Sequence, residues 1–124
     1  MTSAAKRAVI LIVEDELLIR MNAVEMIEEA GFNAIEATNA DEAIAILEAR
    51  LDIRVVFTDI QMPGSMDGLK LAAAVRDRWP PIKIVATSGH HAIRDGELPE
   101  GSAFLQKPYN AATLWRVLNE MIAG

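Results

Sequence analysis

The stretch VFTDIQMPGSMDGL, residues 56–69, joins a short apolar run to a turn through one aspartate, Asp59. An apolar run of this length, rich in β-branched residues, is typical of a strand that is buried on both faces. Pro63, Gly64 and Gly68 follow closely, and proline and glycine favour turns. The stretch therefore predicts a strand that ends in a carboxylate. Such a carboxylate can cap a helix, bind a metal or act as a nucleophile.

Four other segments have the same apolar character, and helical patterns separate them. Alternating strands and helices with right-handed crossovers produce a parallel sheet that is covered by helices on both faces. The chain is therefore predicted to be an α/β protein, a three-layer αβα sandwich on a five-stranded parallel sheet. The predicted strands are AVILIV (8–13), FNAIEA (32–37), IRVVFT (53–58), IKIVAT (82–87) and SAFLQ (102–106).

The first helical pattern places apolar residues at Leu17, Met21, Val24 and Ile27 and ends at Gly31. Apolar residues that recur at spacings of three and four lie on one face of a helix. We therefore expect this face, Met21 included, to pack in the core.

The other helices are recognised by their ends or by an apolar stripe. Asn39 can cap the second helix, with Glu42 at the reciprocal position of a capping box. The third helix is predicted to begin near Asp67 and to end before Pro80-Pro81, because a proline disfavours helix in the residue before it. The last helix carries a full apolar stripe over residues 114–122.

Two segments have weak patterns. Residues 90–102 contain two glycines, one proline and only three apolar side chains, which predicts a short or irregular fourth helix. Residues 1–6 are expected to form a loose N-terminus. The remainder shows neither a linker nor a repeat, so we expect a single domain over residues 1–124.

The composition excludes several classes of protein. The chain has 124 residues, of which 52% are hydrophobic and 24% charged, as in globular domains. It contains no cysteine, which excludes disulfides and thiolate metal sites and suits a cytoplasmic location. The longest apolar run, residues 8–13, is too short for a membrane span. The net charge of −6 argues against direct nucleic-acid binding.

Polar residues stand where four of the predicted strands end. The first strand ends in Glu14-Asp15, the third in Asp59, the fourth in Thr87-Ser88 and the fifth in Lys107. In parallel sheets of this type, ligands bind outside the carboxyl ends of the strands. If the first and third strands are neighbours, three carboxylates converge beside a hydroxyl and an ammonium group.

Converging carboxylates repel each other, and a proton or a cation must offset the repulsion. Oxygen ligands alone favour a hard ion such as Mg²⁺. Lys107 and Ser88 could then bind phosphoryl oxygens, and Asp59 could attack phosphorus in line to form an aspartyl phosphate. Each residue also has a simpler explanation, since Asp15 or Ser88 could cap a helix and Lys107 could be a solvated charge.

Over residues 7–123 the chain resembles the response regulator receiver domain, the phosphoacceptor module of two-component signalling. Each matching motif is short, but four of them occur in order at the ends of the expected strands. They are VEDE with Glu14 and Asp15, TDIQMP with Asp59, the position of Ser88, and LQKP with Lys107.

The resemblance implies a CheY-like, flavodoxin-like fold with the strand order 2-1-3-4-5. It implies that Asp59 accepts a phosphoryl group from a sensor histidine kinase or a histidine phosphotransfer protein. Lys107 would contact a phosphoryl oxygen. On this reading the chain is a signalling phosphoacceptor and not an enzyme.

The resemblance also implies a Mg²⁺ or Mn²⁺ site. Its ligands would be Asp15, Asp59 and the backbone carbonyl of Gln61, with Glu14 acting mainly through water. The loop MPGSMDG is one residue longer than the usual family pattern. We place the extra residue at Gly64–Ser65, beyond the carbonyl of Gln61.

A switch is implied between a hydroxyl at the end of the fourth strand and Phe104 on the fifth. Thr87 and Ser88 are adjacent, and side chains alternate between the faces of a strand, so only one can face the acceptor. The spacing favours Ser88, and Thr87 stays an alternative. In this family a cis peptide commonly joins the equivalents of Lys107 and Pro108.

A downstream protein is expected to bind the face formed by the fourth helix, the fifth strand and the last helix. We expect a stand-alone receiver without direct contact to nucleic acid or membrane. One rival is a Mg²⁺-dependent phosphohydrolase, which would need an acid/base near Asp59 where the sequence has Gln61. The other rival is a scaffold that binds partners regardless of phosphorylation.

Overall fold

Five parallel strands form the centre of the molecule, in the order β2-β1-β3-β4-β5. The computed structural model describes residues 7–62, 66–89 and 96–123. All predicted strands are present, with ends shifted by at most one residue, and the predicted strand order is confirmed. The strands are β1 (Val9–Val13), β2 (Asn33–Ala37), β3 (Ile53–Asp59), β4 (Lys83–Ser88) and β5 (Ala103–Gln106).

The helices of the described residues are α1 (Leu17–Glu29), α2 (Ala40–Ala49), α3 (Gly68–Arg78) and α4 (Ala111–Ala123). None of them is long and apolar enough to cross a membrane. Of the predicted fourth helix, residues 90–95 lie outside the described residues, and residues 96–102 form turns and bends. The predicted loose terminus at 1–6 and the extra loop residue at 64–65 also lie outside them.

Side chains cover both faces of the sheet, as expected for strands with continuous apolar runs. Helices α2 and α3 pack on one face, and α1 and α4 pack on the other. The α2/α3 core includes Leu11, Val13, Leu47, Val56, Leu71, Val75 and Ile84. The α1/α4 core includes Ile10, Ile12, Ile27, Val55, Phe57, Val85, Leu105, Leu114 and Leu118.

The predicted capping box of α2 is confirmed. The Asn39 side chain accepts a 2.8 Å hydrogen bond from the Glu42 N–H, and the Glu42 carboxylate accepts one of 2.7 Å from the Thr38 N–H. The Asp67 side chain caps α3 by accepting a hydrogen bond from the Lys70 N–H. Satisfying these N–H groups stabilises the helix start.

The predicted core face of α1 is wrong for Leu17 and Met21, which are 57% and 55% exposed. The buried residues of α1 are Ala23 and Ile27. With 3.6 residues per turn, the buried side is rotated by about a quarter turn from the predicted one. An alanine carries little weight in an apolar pattern, although Ala23 is buried in the α1/α4 core.

Gly68 fixes the start of α3 against the end of β3. Its N–H donates a 2.9 Å hydrogen bond to the carbonyl of Ile60. A Cβ atom at this position would lie 2.1 Å from the carbonyl oxygen of Asp59 and 2.6 Å from the Cα of Ile60. Because both atoms belong to the backbone, only glycine permits this approach.

Replacing Gly68 by alanine should lower the free energy of unfolding by about 2 kcal/mol, because the new methyl group overlaps backbone that cannot move aside. Urea unfolding of both proteins measures the loss. Gly89→Ala is the matched control, since a Cβ there would lie 3.9 Å from the Cβ of Lys107, an ordinary contact. That control should stay within about 0.5 kcal/mol of the wild type. Equal losses in the two variants would contradict the close packing of Gly68.

Candidate functional site

Three carboxylates meet where β1 and β3 end side by side. Glu14, Asp15 and Asp59 each place one carboxylate oxygen within 4.8 Å of the others, and we call these residues the acidic cluster. Glu14 and Asp59 are buried, whereas Asp15 is exposed. The cap of α1 is Glu16, so Asp15 is not the helix cap that its position also allowed.

Lys107 supplies a positive charge to the acidic cluster. Its Nζ lies 3.1 Å from Oε1 of Glu14 and 3.5 Å from Oδ2 of Asp59. Only 19% of its side-chain surface is exposed, so it is not a solvated surface charge. The peptide bond between Lys107 and Pro108 is cis, at the position that the resemblance implied.

Backbone groups also hold the two buried carboxylates. The N–H of Gln61 donates a 3.4 Å hydrogen bond to Oδ1 of Asp59, and the N–H of Glu16 donates one of 3.2 Å to Oε2 of Glu14. The turn after β3 thus bends the chain back over the carboxylate at its end. These hydrogen bonds favour the ionised carboxylates, but they are too few to replace the hydrogen bonds to water that burial removes.

Burial dominates the electrostatics of the acidic cluster. Burial raises the pKa of Asp59, against the opposing effects of Lys107 and the Gln61 N–H. Burial likewise raises the pKa of Glu14, and the charge of Asp59 adds to the rise. Burial disfavours the charge of Lys107, but its hydrogen bond to Glu14 and the two carboxylates outweigh this, so its pKa is raised too.

The donor set suits a hard divalent cation. The acidic cluster offers carboxylate oxygens, and one ammonium group offsets only part of its charge. A cation would relieve both the repulsion and the raised pKa values of Glu14 and Asp59. Oxygen-only ligands with room for water fit Mg²⁺ or Mn²⁺. The acidic cluster thus fits the ion that the resemblance implied.

The two hydroxyls at the end of β4 belong to different faces of the sheet. Thr87 pairs with Asp59 in the register, and alternation puts it on the α1/α4 side with Val85. Ser88 falls on the opposite side, together with Phe104. Both hydroxyl residues are buried. Thr87 thus lies beside Asp59 in the sheet, whereas Ser88 is one residue further along β4 and shares a face with Phe104.

Two residues of the site were not recognised in the sequence. The Tyr109 ring packs edge-on against Phe57, with the ring centroids 5.7 Å apart. Burial, with the charges of Glu14 and Asp59, raises the pKa of Tyr109 to about 12, so its hydroxyl stays neutral. The only signal for Tyr109 was its place two residues after Lys107.

The second is Gln106, whose side-chain amide bridges the ends of two strands. Its Nε2 donates hydrogen bonds of 3.1 Å to the Ser88 carbonyl and 3.3 Å to the Gly89 carbonyl. The N–H of Lys107 reaches the same Ser88 carbonyl at 2.9 Å. Nothing in the sequence pattern points to these contacts, because they depend on β4 and β5 being neighbours.

Residues 10–119 match the response regulator receiver domain family. The chain is 36% identical over 109 residues, 85% of its length, to the nitrogen assimilation regulatory protein NtrX of Azorhizobium caulinodans. It is 31% identical over 125 residues, 98% of its length, to the sensor kinase CckA of Brucella abortus. The match spans 24% of NtrX and 13% of CckA.

Among solved structures, a response regulator receiver protein from Sinorhizobium medicae superposes with a TM-score of 0.89. It is 26% identical in sequence, and the match covers 97% of this chain and 98% of that one. The sheet order and the helices on both faces are therefore shared with that protein.

Replacing Asp59 by asparagine should raise the free energy of unfolding at pH 7, because it removes a buried charge at nearly constant shape. An acid whose pKa is raised on folding costs stability as the pH rises from its ordinary value, 3.8, through its folded value. The gain should therefore shrink between pH 7 and pH 4. Urea unfolding of both proteins across this range measures it.

Asp52→Asn is the control, because the pKa of Asp52 is shifted in the opposite direction to that of Asp59. A hydrogen bond from Arg50 lowers the pKa of Asp52, which is exposed to solvent. Its replacement should therefore give no gain at pH 7. If the gain in the free energy of unfolding of Asp59→Asn instead grew towards pH 4, the cost of burying the Asp59 charge would be contradicted.

Proposed function

Because the chain belongs to the response regulator receiver domain family, whose members act as phosphoacceptors in two-component signalling, we propose that Asp59 is its phosphoacceptor. One observation carries this assignment. The buried carboxylate of Asp59 ends the central strand β3, with Nζ of Lys107 3.5 Å away and two further carboxylates beside it. No other aspartate of the described residues combines burial with these neighbours.

The transfer begins with an oxygen of the Asp59 carboxylate, which attacks the phosphorus of the donor. A carboxylate O–P bond forms while the P–N bond to the donor histidine breaks, and the imidazole nitrogen keeps the electron pair. The attack requires ionised Asp59, which the nearby charge of Lys107 favours against the effect of burial. The product is an aspartyl phosphate.

Lys107 is placed to stabilise the transferred group. Its ammonium reaches both Glu14 and Asp59, so a small movement of its flexible stem brings it to a phosphoryl oxygen. The hydroxyl of Ser88, or alternatively of Thr87, donates a hydrogen bond to another oxygen. Charge-assisted donors of this kind stabilise the negative charge that develops during transfer.

We assign the acidic cluster and the backbone carbonyl of Gln61 to Mg²⁺ or Mn²⁺. When bound, such an ion offsets the repulsion of the carboxylates and polarises phosphoryl oxygens. Asp15, the exposed member of the cluster, is the carboxylate most open to a hydrated ion. Glu14 is already engaged by Lys107 and the Glu16 N–H, which supports a contribution mainly through water.

Receiver domains work with histidine kinases, and we propose a sensor histidine kinase or a histidine phosphotransfer protein as the donor. The similarity to part of the sensor kinase CckA supports this class of donor. The output is proposed to pass from Ser88 to Phe104, which share one face of the sheet. A downstream protein would then bind the face of β5, α4 and the segment before β5. On this proposal the chain is a signalling component and not an enzyme with a substrate of its own.

Incubation of the wild type with acetyl phosphate and Mg²⁺ should add one phosphoryl group, measured as intact mass. Asp59→Ala and EDTA should each abolish the addition, because they remove the nucleophile and the cation. Asp52→Asn should keep it, since Asp52 pairs with Arg50 at the surface. An unchanged mass of the folded wild type with this donor and with a phosphorylated histidine donor would refute the proposal.

Ser88→Ala should slow phosphorylation by up to about a hundredfold, because one donor to the transferred group is lost. Thr87→Ala is the matched control, since it removes a buried hydroxyl from the adjacent position, and it should keep the wild-type rate. Time courses of intact mass at saturating Mg²⁺ measure both rates. A larger loss in Thr87→Ala would transfer the role to Thr87.

A further inference from the structure

Arg20 in the first turn of α1 lies beside the acidic cluster without belonging to it. Only 12% of its side-chain surface is exposed. Its Nη1 donates a 2.9 Å hydrogen bond to the backbone carbonyl of Glu14, and its Nε donates one of 3.0 Å to Oε1 of Glu36 on β2. One guanidinium thus joins α1, the end of β1 and β2.

The contact with Glu14 falls on the peptide group that links the two acidic residues. Rotation of that peptide changes the direction in which both Glu14 and Asp15 leave the backbone. On the other side of Glu14, its N–H donates a 3.1 Å hydrogen bond to the carbonyl of Ala37. The strand β2 therefore holds the peptide before Glu14, and Arg20 holds the peptide after it.

The ion pair with Glu36 does not by itself offset the cost of burying the guanidinium of Arg20. Glu36 keeps 48% of its side-chain surface exposed, and ion pairs that are open to water contribute little stability. Burying a guanidinium is costly unless its donors are satisfied. The planar fork of arginine satisfies two acceptors at a fixed separation, which a lysine ammonium cannot reproduce.

We infer that Arg20 is a positioning residue for the divalent-cation site, which it shapes by holding the peptide between Glu14 and Asp15. The inference rests on the metal site of the proposed function, but not on phosphoryl transfer to Asp59. Groups that orient metal ligands from outside typically change metal affinity about tenfold or more when they are replaced.

The charge of Arg20 and its positioning role predict opposite changes in Mg²⁺ affinity when Arg20 is replaced. A guanidinium near the acidic cluster repels Mg²⁺, so by charge alone its removal would tighten Mg²⁺ binding. Loss of positioning frees the peptide between the two acidic residues, and Mg²⁺ binding then weakens. The direction of the change therefore separates the two effects.

Isothermal titration of the unphosphorylated full chain with Mg²⁺ provides the test. Arg20→Met is expected to raise the dissociation constant about tenfold, and Arg20→Lys should also raise it although it keeps the charge. Arg78→Met is the matched control, because Arg78 forms a similar pair with Glu48 between α3 and α2, and it should bind Mg²⁺ like the wild type. If circular dichroism shows that Arg20→Met does not fold, the Mg²⁺ dissociation constant of Arg20→Lys provides the test.

Glu36→Gln separates the two contacts of Arg20, because it removes the ion pair and leaves the hydrogen bond to the Glu14 carbonyl. Its loss of Mg²⁺ affinity should be clearly smaller than that of Arg20→Met. Equal losses of Mg²⁺ affinity in Glu36→Gln and Arg20→Met would overturn the inference. Arg20 variants that bind Mg²⁺ as tightly as the wild type, or more tightly, would also overturn it. A wild type that binds Mg²⁺ but resists phosphorylation would refute the proposed acceptor alone, whereas a wild type that binds no Mg²⁺ would refute both.

Discussion

Mutual repulsion among the carboxylates of Glu14, Asp15 and Asp59 is the constraint around which this end of the molecule is built. Parallel strands β1 and β3 are neighbours, so the acidic residues that follow them meet at one edge of the sheet. Burial raises the pKa of two of these residues and makes the repulsion more costly. The surrounding groups that counter it are Lys107 and the backbone N–H groups of the adjoining turns.

The same repulsion would also govern the response of the site to the ligands of the proposed function. Nζ of Lys107 lies close to the carboxylates of both Glu14 and Asp59, so it forms an ion pair with each of them. On the proposed function, a divalent cation and a phosphoryl group would bring opposite charges to this edge, and each would change which oxygen Lys107 prefers. Two contacts hold the backbone around the site, since Gly68 packs the start of α3 against the end of β3 and Arg20 binds the Glu14 carbonyl from α1.

The sequence predicted the sheet well because its strands are buried on both faces and read as continuous apolar runs. It placed Asp59, the acidic pair and Lys107 at the ends of strands because each directly follows such a run. It failed for the core face of α1, where exposed Leu17 and Met21 outweighed the buried Ala23 in the pattern. It also missed Gln106, whose hydrogen bonds to the Ser88 and Gly89 carbonyls exist only between neighbouring strands.

The sequence by itself determined which residues end the strands, because hydrophobic periodicity and turn residues are local properties of the chain. Tertiary structure alone decided which strand ends are adjacent and which side chains are buried. Those two facts set the distance between Glu14 and Asp59, the two contacts of Lys107 and the bond from Arg20 to the Glu14 carbonyl. The physical reason is that electrostatic interactions and desolvation depend on separation in space and on exclusion of water, and neither is encoded in the spacing of residues along the chain.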